Sequence, residues 1–199
     1  GSKLAVVDEN GKFLEKAHIY PLRGMQYDPK GAKQTIINLV KKYGVSLVAI
    51  GNGTASRESQ SFVADIIKSD LPDLQYVVVN ESGASVYSAS DMARAEFPDL
   101  QVEQRSAISI ARRLQDPMAE LIKIDPQAVG VGQYQHDLPT KELETELDAV
   151  LETAVNQVGV NLNTASPQLL THIAGLTKTT AANIVAYRDE NGQFTSRAQ

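Results

Sequence analysis

Cysteine is missing from all 199 residues of this sequence. That excludes a disulfide framework and any zinc site built on thiolates. No apolar run approaches the length of a membrane span, and no signal peptide is visible. These absences favour a cytoplasmic protein with no membrane contact. Excess positive charge is absent too: 19 Lys and Arg stand against 24 Asp and Glu, a formal net charge of −5. That balance argues against nucleic-acid binding through bulk charge, while leaving local phosphate contacts open. Internal repeats and low-complexity tracts are also lacking. What is there is an ordinary globular composition, 42% hydrophobic, enough for a real core. The length suits one medium domain and one small one.

The chemistry gathers around residues 76–85, YVVVNESGAS. Residues 76–79 are a β-branched run, too short for a helix and bounded by polar residues. They predict a strand buried on both faces, in the middle of an α/β sheet. Glu81 then stands at the carboxyl end of a buried strand, where α/β sheets place their chemistry. Earlier in the chain, residues 3–7 and 13–20 read as strands. Asn10-Gly11 between them is a hairpin signal, because both residues accept positive φ. Residues 32–43 read as a helix, with Ile36, Leu39, Val40 and Tyr43 on one face and Gly44 as C-terminal cap. Residues 45–50 read as a buried strand. A glycine-rich turn, GNGTAS at 51–56, then leads into a helix over 57–68 with Phe62, Val63, Ile66 and Ile67 inward. Such a turn can cradle an anion on free backbone N–H groups. Its spacing matches neither a P-loop nor a dinucleotide fingerprint, and a tight turn with Ser56 as helix cap is preferred. The order strand, strand, helix, strand, helix, strand predicts a mixed sheet: an antiparallel hairpin, then right-handed parallel crossovers.

After Glu81 comes a stretch of small residues, 82–90, and a short helix over 91–97 stopped by Pro98. Ala107, Ile108, Ile110, Ala111 and Leu114 mark the next helix, which carries Arg105, Arg112 and Arg113. These arginines could meet phosphate, but a solvated face paired with acids is the commoner use of such a run. Asp116-Pro117 breaks that helix, and residues 118–124 add a turn or two. Residues 125–139 form a long connection holding Tyr134, His136 and Asp137. No second histidine stands at ligand spacing, so a packed linker is preferred to a metal site. Thr140 reads as the N-cap of a helix to residue 158, with an apolar stripe of Leu143, Leu147, Val150, Leu151, Ala154, Val155 and Val158. Its outer face is acidic and should repel nucleic acid. A short helix over 166–173 follows, capped by Asn163 or Thr164. A turn with Gly175 joins it to a second helix over 178–189, with Ala181, Ile184 and Val185 inward. Two short helices on a tight turn make a helix-hairpin-helix. The N–H groups that open its second helix are unpaired and can hold one phosphate, with no sequence reading. Lys178 is placed to add charge.

Several long runs carry a resemblance. IGNGTASRE at 50–58, NESGASVYSAS at 80–90, RSAISIARRLQDPMAEL at 105–121 and KIDPQAVGVGQYQHDL at 123–138 resemble the Tex family of bacterial transcription accessory proteins. NLNTASPQLLTHIAGLTKTTAANIVAYR at 161–188 resembles that family's helix-hairpin-helix region. The resemblance covers essentially the whole chain. It implies an α/β, RNase H-like (YqgF-type) domain over residues 1–125, a mixed sheet with helices on both faces. A linker loop and long helix would follow over 126–158, then a small all-α helix-hairpin-helix unit over 159–199. The family is associated with transcription, binds nucleic acid and is related to a eukaryotic transcription elongation factor.

Three departures qualify what the resemblance implies. RNase H-like nucleases hold two metal ions on several carboxylates, one of them on the first, central strand. That strand is expected to be missing here, the sequence starting at the second, and the C-terminus to be truncated as well. The sheet should then show either an exposed gap filled by another chain or a local rearrangement, because open strand edges tend to pair. Relatives also carry a late acid near the position of Arg105-Ser106, where none stands. Glu81 is left as a vestigial ligand, with Asp8 and Asp137 the acids to check beside it, and one carboxylate cannot hold two divalent ions against their hydration. Finally, Thr177 replaces the second glycine of the usual hairpin pattern, limiting how closely a phosphate can approach.

The expectation is a non-catalytic, nucleic-acid-binding part of a Tex-like factor, with no cofactor and no small-molecule substrate. Gly175, Leu176, Thr177, Lys178 and Thr179 would hold an RNA or DNA backbone phosphate, and the transcription machinery is a possible partner. One alternative is an Mg²⁺-dependent RNase H-like or resolvase-like nuclease with Glu81 as a ligand. The other is a protein-interaction scaffold.

Overall fold

The computed structural model describes residues 1–199 and divides them into two compact units, Gly1–Gln115 and Asp116–Gln199. In the first, strands β1 (Ser2–Val7) and β2 (Phe13–Ile19) pair antiparallel, from Ser2 opposite Ile19 to Val6 opposite Glu15. The Asp8 carboxylate closes their turn by accepting the N–H groups of Asn10 and Lys12, each at 2.9 Å. Gly11 takes φ +80, and no non-glycine residue has positive φ. Asn10 therefore does not share the left-handed role expected of it.

Helix α1 (Pro29–Tyr43) starts three residues before the predicted position. Asp28 caps it, accepting from Gly31 N–H at 2.9 Å, and Pro29 sits where its missing N–H costs nothing. Gly44 ends it in the left-handed conformation at φ 63. Strand β3 (Leu47–Gly51), helix α2 (Ser56–Ser69) and strand β4 (Gln75–Val79) follow, with β3 and β4 parallel. Ser56 is not the cap. It lies inside α2, where its Oγ accepts from Gln60, and Ala55 holds the cap position without a side-chain bond. Ile19, Ile36, Ile37, Ile66 and Leu74 form the core of this unit, with Leu4, Val48 and Phe62 packed against it.

The strands form two separate sheets, β1–β2 and β3–β4, with no ladder joining them. The expected gap is thus present. It also overturns the central position assigned to residues 76–79. β4 has β3 as its one neighbour, and Val77 and Val78 are each 40% exposed. β3 likewise buries only Ile50 fully.

Helix α3 (Ala84–Ala89), absent from the sequence reading, buries Ala84, Tyr87 and Ser88, and α4 (Asp91–Glu96) follows. Helix α5 (Val102–Gln115) packs on α3, β1 and β3. Successive strand residues point to opposite faces. Leu4 and Val48 meet the α1–α2 core, while Gly51 faces Ile110 of α5. Helices thus cover both faces, α1 and α2 on one and α5 on the other. Arg105 and Arg113 correct the idea of a solvated or phosphate-binding arginine face: both are buried. Their guanidinium groups donate to backbone carbonyls, Arg105 to Phe97 and Ser88. Arg112 donates to Gly11 O at 2.7 Å and pairs with Glu96.

The second unit is all helix: α6 (Pro117–Leu121), α7 (Pro126–Val129), a 3-10 turn at Gln135–Asp137, α8 (Thr140–Val158), α9 (Pro167–Leu170) and α10 (Lys178–Asn191). Its core joins Ala119, Val155, Ala165, Leu169, Leu170 and Ala181. Thr140 is the first residue of α8 rather than its cap, which is Pro139 with no side-chain bond. Val155 is the buried residue of the α8 stripe, while Val150 and Val158 lie open to solvent. The loop around Tyr134 is exposed too, so residues 130–138 are not packed as expected. None of the helices is long and apolar enough to cross a membrane.

Candidate nucleic-acid interface

α9 and α10 build the hairpin. Ser166 caps α9, accepting from Leu169 N–H at 3.2 Å. Asn163 and Thr164, the expected caps, are otherwise engaged: Asn163 exchanges two bonds with the Phe194 backbone, and the Thr164 hydroxyl donates to Asp116. Gly175 turns the chain at φ +87, a conformation that disfavours any side chain, although the space around it is open. Leu176 packs on the core and anchors the turn.

Thr177 and Thr180 form a capping box at the start of α10. Thr180 N–H donates to Thr177 Oγ1 at 3.2 Å, and Thr177 N–H donates to Thr180 Oγ1 at 2.7 Å. The first intrahelical bond runs from Ala181 N–H to Thr177 O at 2.9 Å. The N–H groups of Lys178 and Thr179 precede it, so they have no partner within the helix, and both residues are exposed. Within the five residues singled out from sequence, Gly175 shapes the turn, Leu176 anchors it and Thr177 spends its amide on the cap. Lys178 and Thr179 lie past the cap, in the exposed first turn of α10.

Sequence reading missed the side chains that hold this hairpin in shape. Asn156 of α8 donates to His172 O at 2.9 Å and accepts from Ala174 N–H at 3.1 Å. Arg188 of α10 donates to Leu162 O and Ala165 O at 3.0 and 2.8 Å. Tyr187 stacks on Phe194 with ring centroids 5.4 Å apart. The Asn163–Phe194 exchange across 31 residues leaves no local signal in the sequence.

Glu81 lies in the first unit, two residues past the end of β4. Its N–H donates to Asn52 Oδ1 at 3.1 Å. Arg113 Nη1 donates to both flanking carbonyls, Asn80 O and Ser82 O, each at 2.8 Å. The Glu81 carboxylate fills the space a Cβ would need at Gly51 and at Gly53. Those two positions must therefore be glycine-like for the carboxylate to lie there, which explains the glycine-rich turn without an anion. Asp8 is committed to its own hairpin turn, and Asp137 lies in the 3-10 turn of the second unit. No group of three or more acid or histidine side chains gathers anywhere in the chain. The donor set around Glu81 does not fit a two-metal centre.

Comparison with known proteins agrees with this architecture. Residues 1–115 match the family described as Tex protein YqgF-like domain, and residues 155–199 match the helix-hairpin-helix motif. Protein tex of Bordetella pertussis is 55% identical over 99% of the chain and 25% of its own length. Transcriptional accessory protein Tex of Neisseria gonorrhoeae is 53% identical over 99% of the chain and 26% of its own length. S1 RNA-binding domain-containing protein 1 of Homo sapiens is 43% identical over the whole chain and 20% of its own length. The chain thus spans about a quarter of the bacterial relatives it matches.

Proposed function

From the premise that the chain belongs to the Tex family, with an RNase H-like YqgF domain followed by a helix-hairpin-helix, we propose that it is a non-catalytic nucleic-acid-binding part of a transcription accessory factor. The hairpin grips one backbone phosphate, without reading sequence. The observation that carries this is the first turn of α10, where the exposed N–H groups of Lys178 and Thr179 remain after the capping box has taken those of Thr177 and Thr180. A helix start of this kind favours negative charge, and the Lys178 ammonium adds to it. The relatives' names, one for transcription and one for RNA binding, support the same class of partner. The YqgF domain then acts as a structural and interaction module, because Glu81 lacks the company that two-metal phosphodiester chemistry needs.

The test is a salt titration of binding to labelled single- and double-stranded oligonucleotides, with and without Mg²⁺, followed by gels of the same samples. With one or two phosphates held, log K should fall with log salt at a slope of about −1 to −2. Lys178→Ala should weaken binding to all sequences alike and reduce that slope by about 1. Binding unchanged by Lys178→Ala would point to a scaffold whose hairpin meets protein. Mg²⁺-dependent cleavage lost in Glu81→Ala would make the protein a nuclease and overturn the proposal.

A further inference from the structure

The turn between α9 and α10 is held mostly by its own backbone. His172 N–H donates to Leu169 O, Ile173 N–H to Leu170 O and Leu176 N–H to Ile173 O, each at 3.1 Å. Such bonds close single turns and fix no direction relative to the rest of the unit. One polar side chain from outside the hairpin reaches this turn: Asn156, in the last turn of α8. Its Nδ2 donates to His172 O at 2.9 Å, and its Oδ1 accepts from Ala174 N–H at 3.1 Å. The same Nδ2 donates to Glu152 O at 2.7 Å, within α8 itself. Both amide hydrogens and the carbonyl oxygen are thus in use, and no other side chain of this length offers two donors and an acceptor.

The place of this tie in the chain makes it consequential. Val155, beside Asn156, shares a buried core with Leu169 and Leu170 of α9 and Ala181 of α10. Apolar packing of this kind is non-directional. The carboxamide adds direction, fixing the peptides at 172–174 that lead into Gly175. Gly175 takes φ +87 and has no side chain to restrict it, so a turn without the tie has more conformations open to it. Thr177, Lys178 and Thr179 follow shortly after, and their backbone inherits whatever direction the turn takes. Asn156 itself is exposed. Hydrogen bonds open to water add little to stability, which favours a geometric role over a stabilising one.

We infer that Asn156 is a positioning residue for nucleic-acid binding: from α8 it holds the 172–174 turn so that the start of α10 is aimed at a backbone phosphate, while touching no phosphate itself. This deepens the phosphate reading of the hairpin and rests on it. Donors aimed at one point before the anion arrives need no rearrangement when it binds. Without the tie, binding must first select the aimed arrangement among several, and that ordering lowers the affinity. The role asks for a carboxamide. Aspartate keeps the shape and the acceptor but cannot donate to His172 O, and leucine keeps only the bulk.

The experiment uses the whole 199-residue chain and labelled single- and double-stranded oligonucleotides, titrated at several salt concentrations well below the melting temperature of every variant. Asn156→Leu should weaken binding about five- to tenfold. It removes no charge, so the slope of log K on log salt should stay that of the parent, whereas Lys178→Ala lowers it. Proton–nitrogen correlation spectra should show the Lys178 and Thr179 amides shifted in Asn156→Leu, while far-UV circular dichroism shows the helices intact. The double variant should lose less than the product of the two single losses, because both act through one helix start. Asn156→Asp should also bind more weakly than the parent. Parent-like binding by Asn156→Leu, beside a loss in Lys178→Ala, would overturn this inference alone. So would losses that simply multiply, the mark of a merely structural residue. Parent-like binding by Lys178→Ala would overturn the phosphate reading itself, and the inference with it.

Discussion

Arg105 and Ser109 sit one turn apart on the buried side of α5, and truncating them should have opposite effects. Arg105 Nε and Nη1 donate to Phe97 O and Ser88 O at 3.1 and 3.2 Å. Arg105→Met strands both carbonyls in the interior and should cost about 2–3 kcal/mol, read as a lower urea midpoint. Ser109 Oγ is fully buried with no hydrogen-bond partner. Ser109→Ala removes that unsatisfied group, so stability should stay level or rise by up to about 1 kcal/mol. A clear loss would mean that the hydroxyl has a partner such as a buried water. Neither role was legible in the sequence, since an arginine that ties up carbonyls is spelled like one that meets solvent. Glu15 titrates in a similarly specific setting. Hydrogen bonds from Lys42 and then from Tyr43 hold its carboxyl below the usual carboxylate range. A depressed folded-state pKa gives stability that is present above the unfolded value and lost as pH falls through the folded one. The stability difference between the parent and Glu15→Gln should therefore shrink between about pH 6 and about pH 3. A difference that stayed constant over that range would show the contacts to be electrostatically idle.

Elements were legible to the extent that their signals were local. Apolar spacing located α1, α2, α5, α8 and α10, and Gly44 marked the end of α1, because helical periodicity and a left-handed cap are properties of a few neighbouring residues. The starts were less legible. α1 starts at Pro29 behind the Asp28 cap, three residues before the expected start, and Ser166 caps α9 where Asn163 or Thr164 had been favoured, because several polar residues near a helix start can each compete for the role. α3 escaped notice because ASVYSA has almost no periodic contrast; its burial comes from α5. Residues 76–79 were recognised as a strand but misplaced, since an apolar run does not say how many neighbours it has. In the hairpin, Thr177 was read mainly as a departure from glycine, whereas the structure makes it a cap. Thr177→Ala should thus destabilise the start of α10 by about 1 kcal/mol, seen as faster amide exchange at Thr180 and a lower melting temperature. Thr177→Gly should cost only a few tenths of that scale, because glycine is itself tolerated at a cap. Equal losses from both replacements would locate the effect in packing rather than in the cap.

At the scale of the whole chain, the order of strands and helices was readable, while the division of the strands into two sheets followed only from the family resemblance. No residue in β1 or β3 announces that one edge is open, because edge status is a property of what lies beside a strand. This division has a consequence for local stability. A two-stranded sheet is marginal by itself and depends on the helices that cover it. Here the fully buried side chains of the first unit lie mostly on helices, at Ile66, Tyr87 and Ile108, and β4 leaves two valines 40% exposed. In the second unit they lie at Val155, Leu169 and Leu170. Native-state hydrogen exchange should therefore find the slowest amides in α1, α2 and α5, with β3 and β4 opening at distinctly lower free energy. Ordinary domains built on a continuous sheet show the opposite order, with central strands among the last to exchange. If β3 and β4 proved as protected as α2 in the chain alone, the open edges would already be covered in solution, and the two sheets would be joined by some other route.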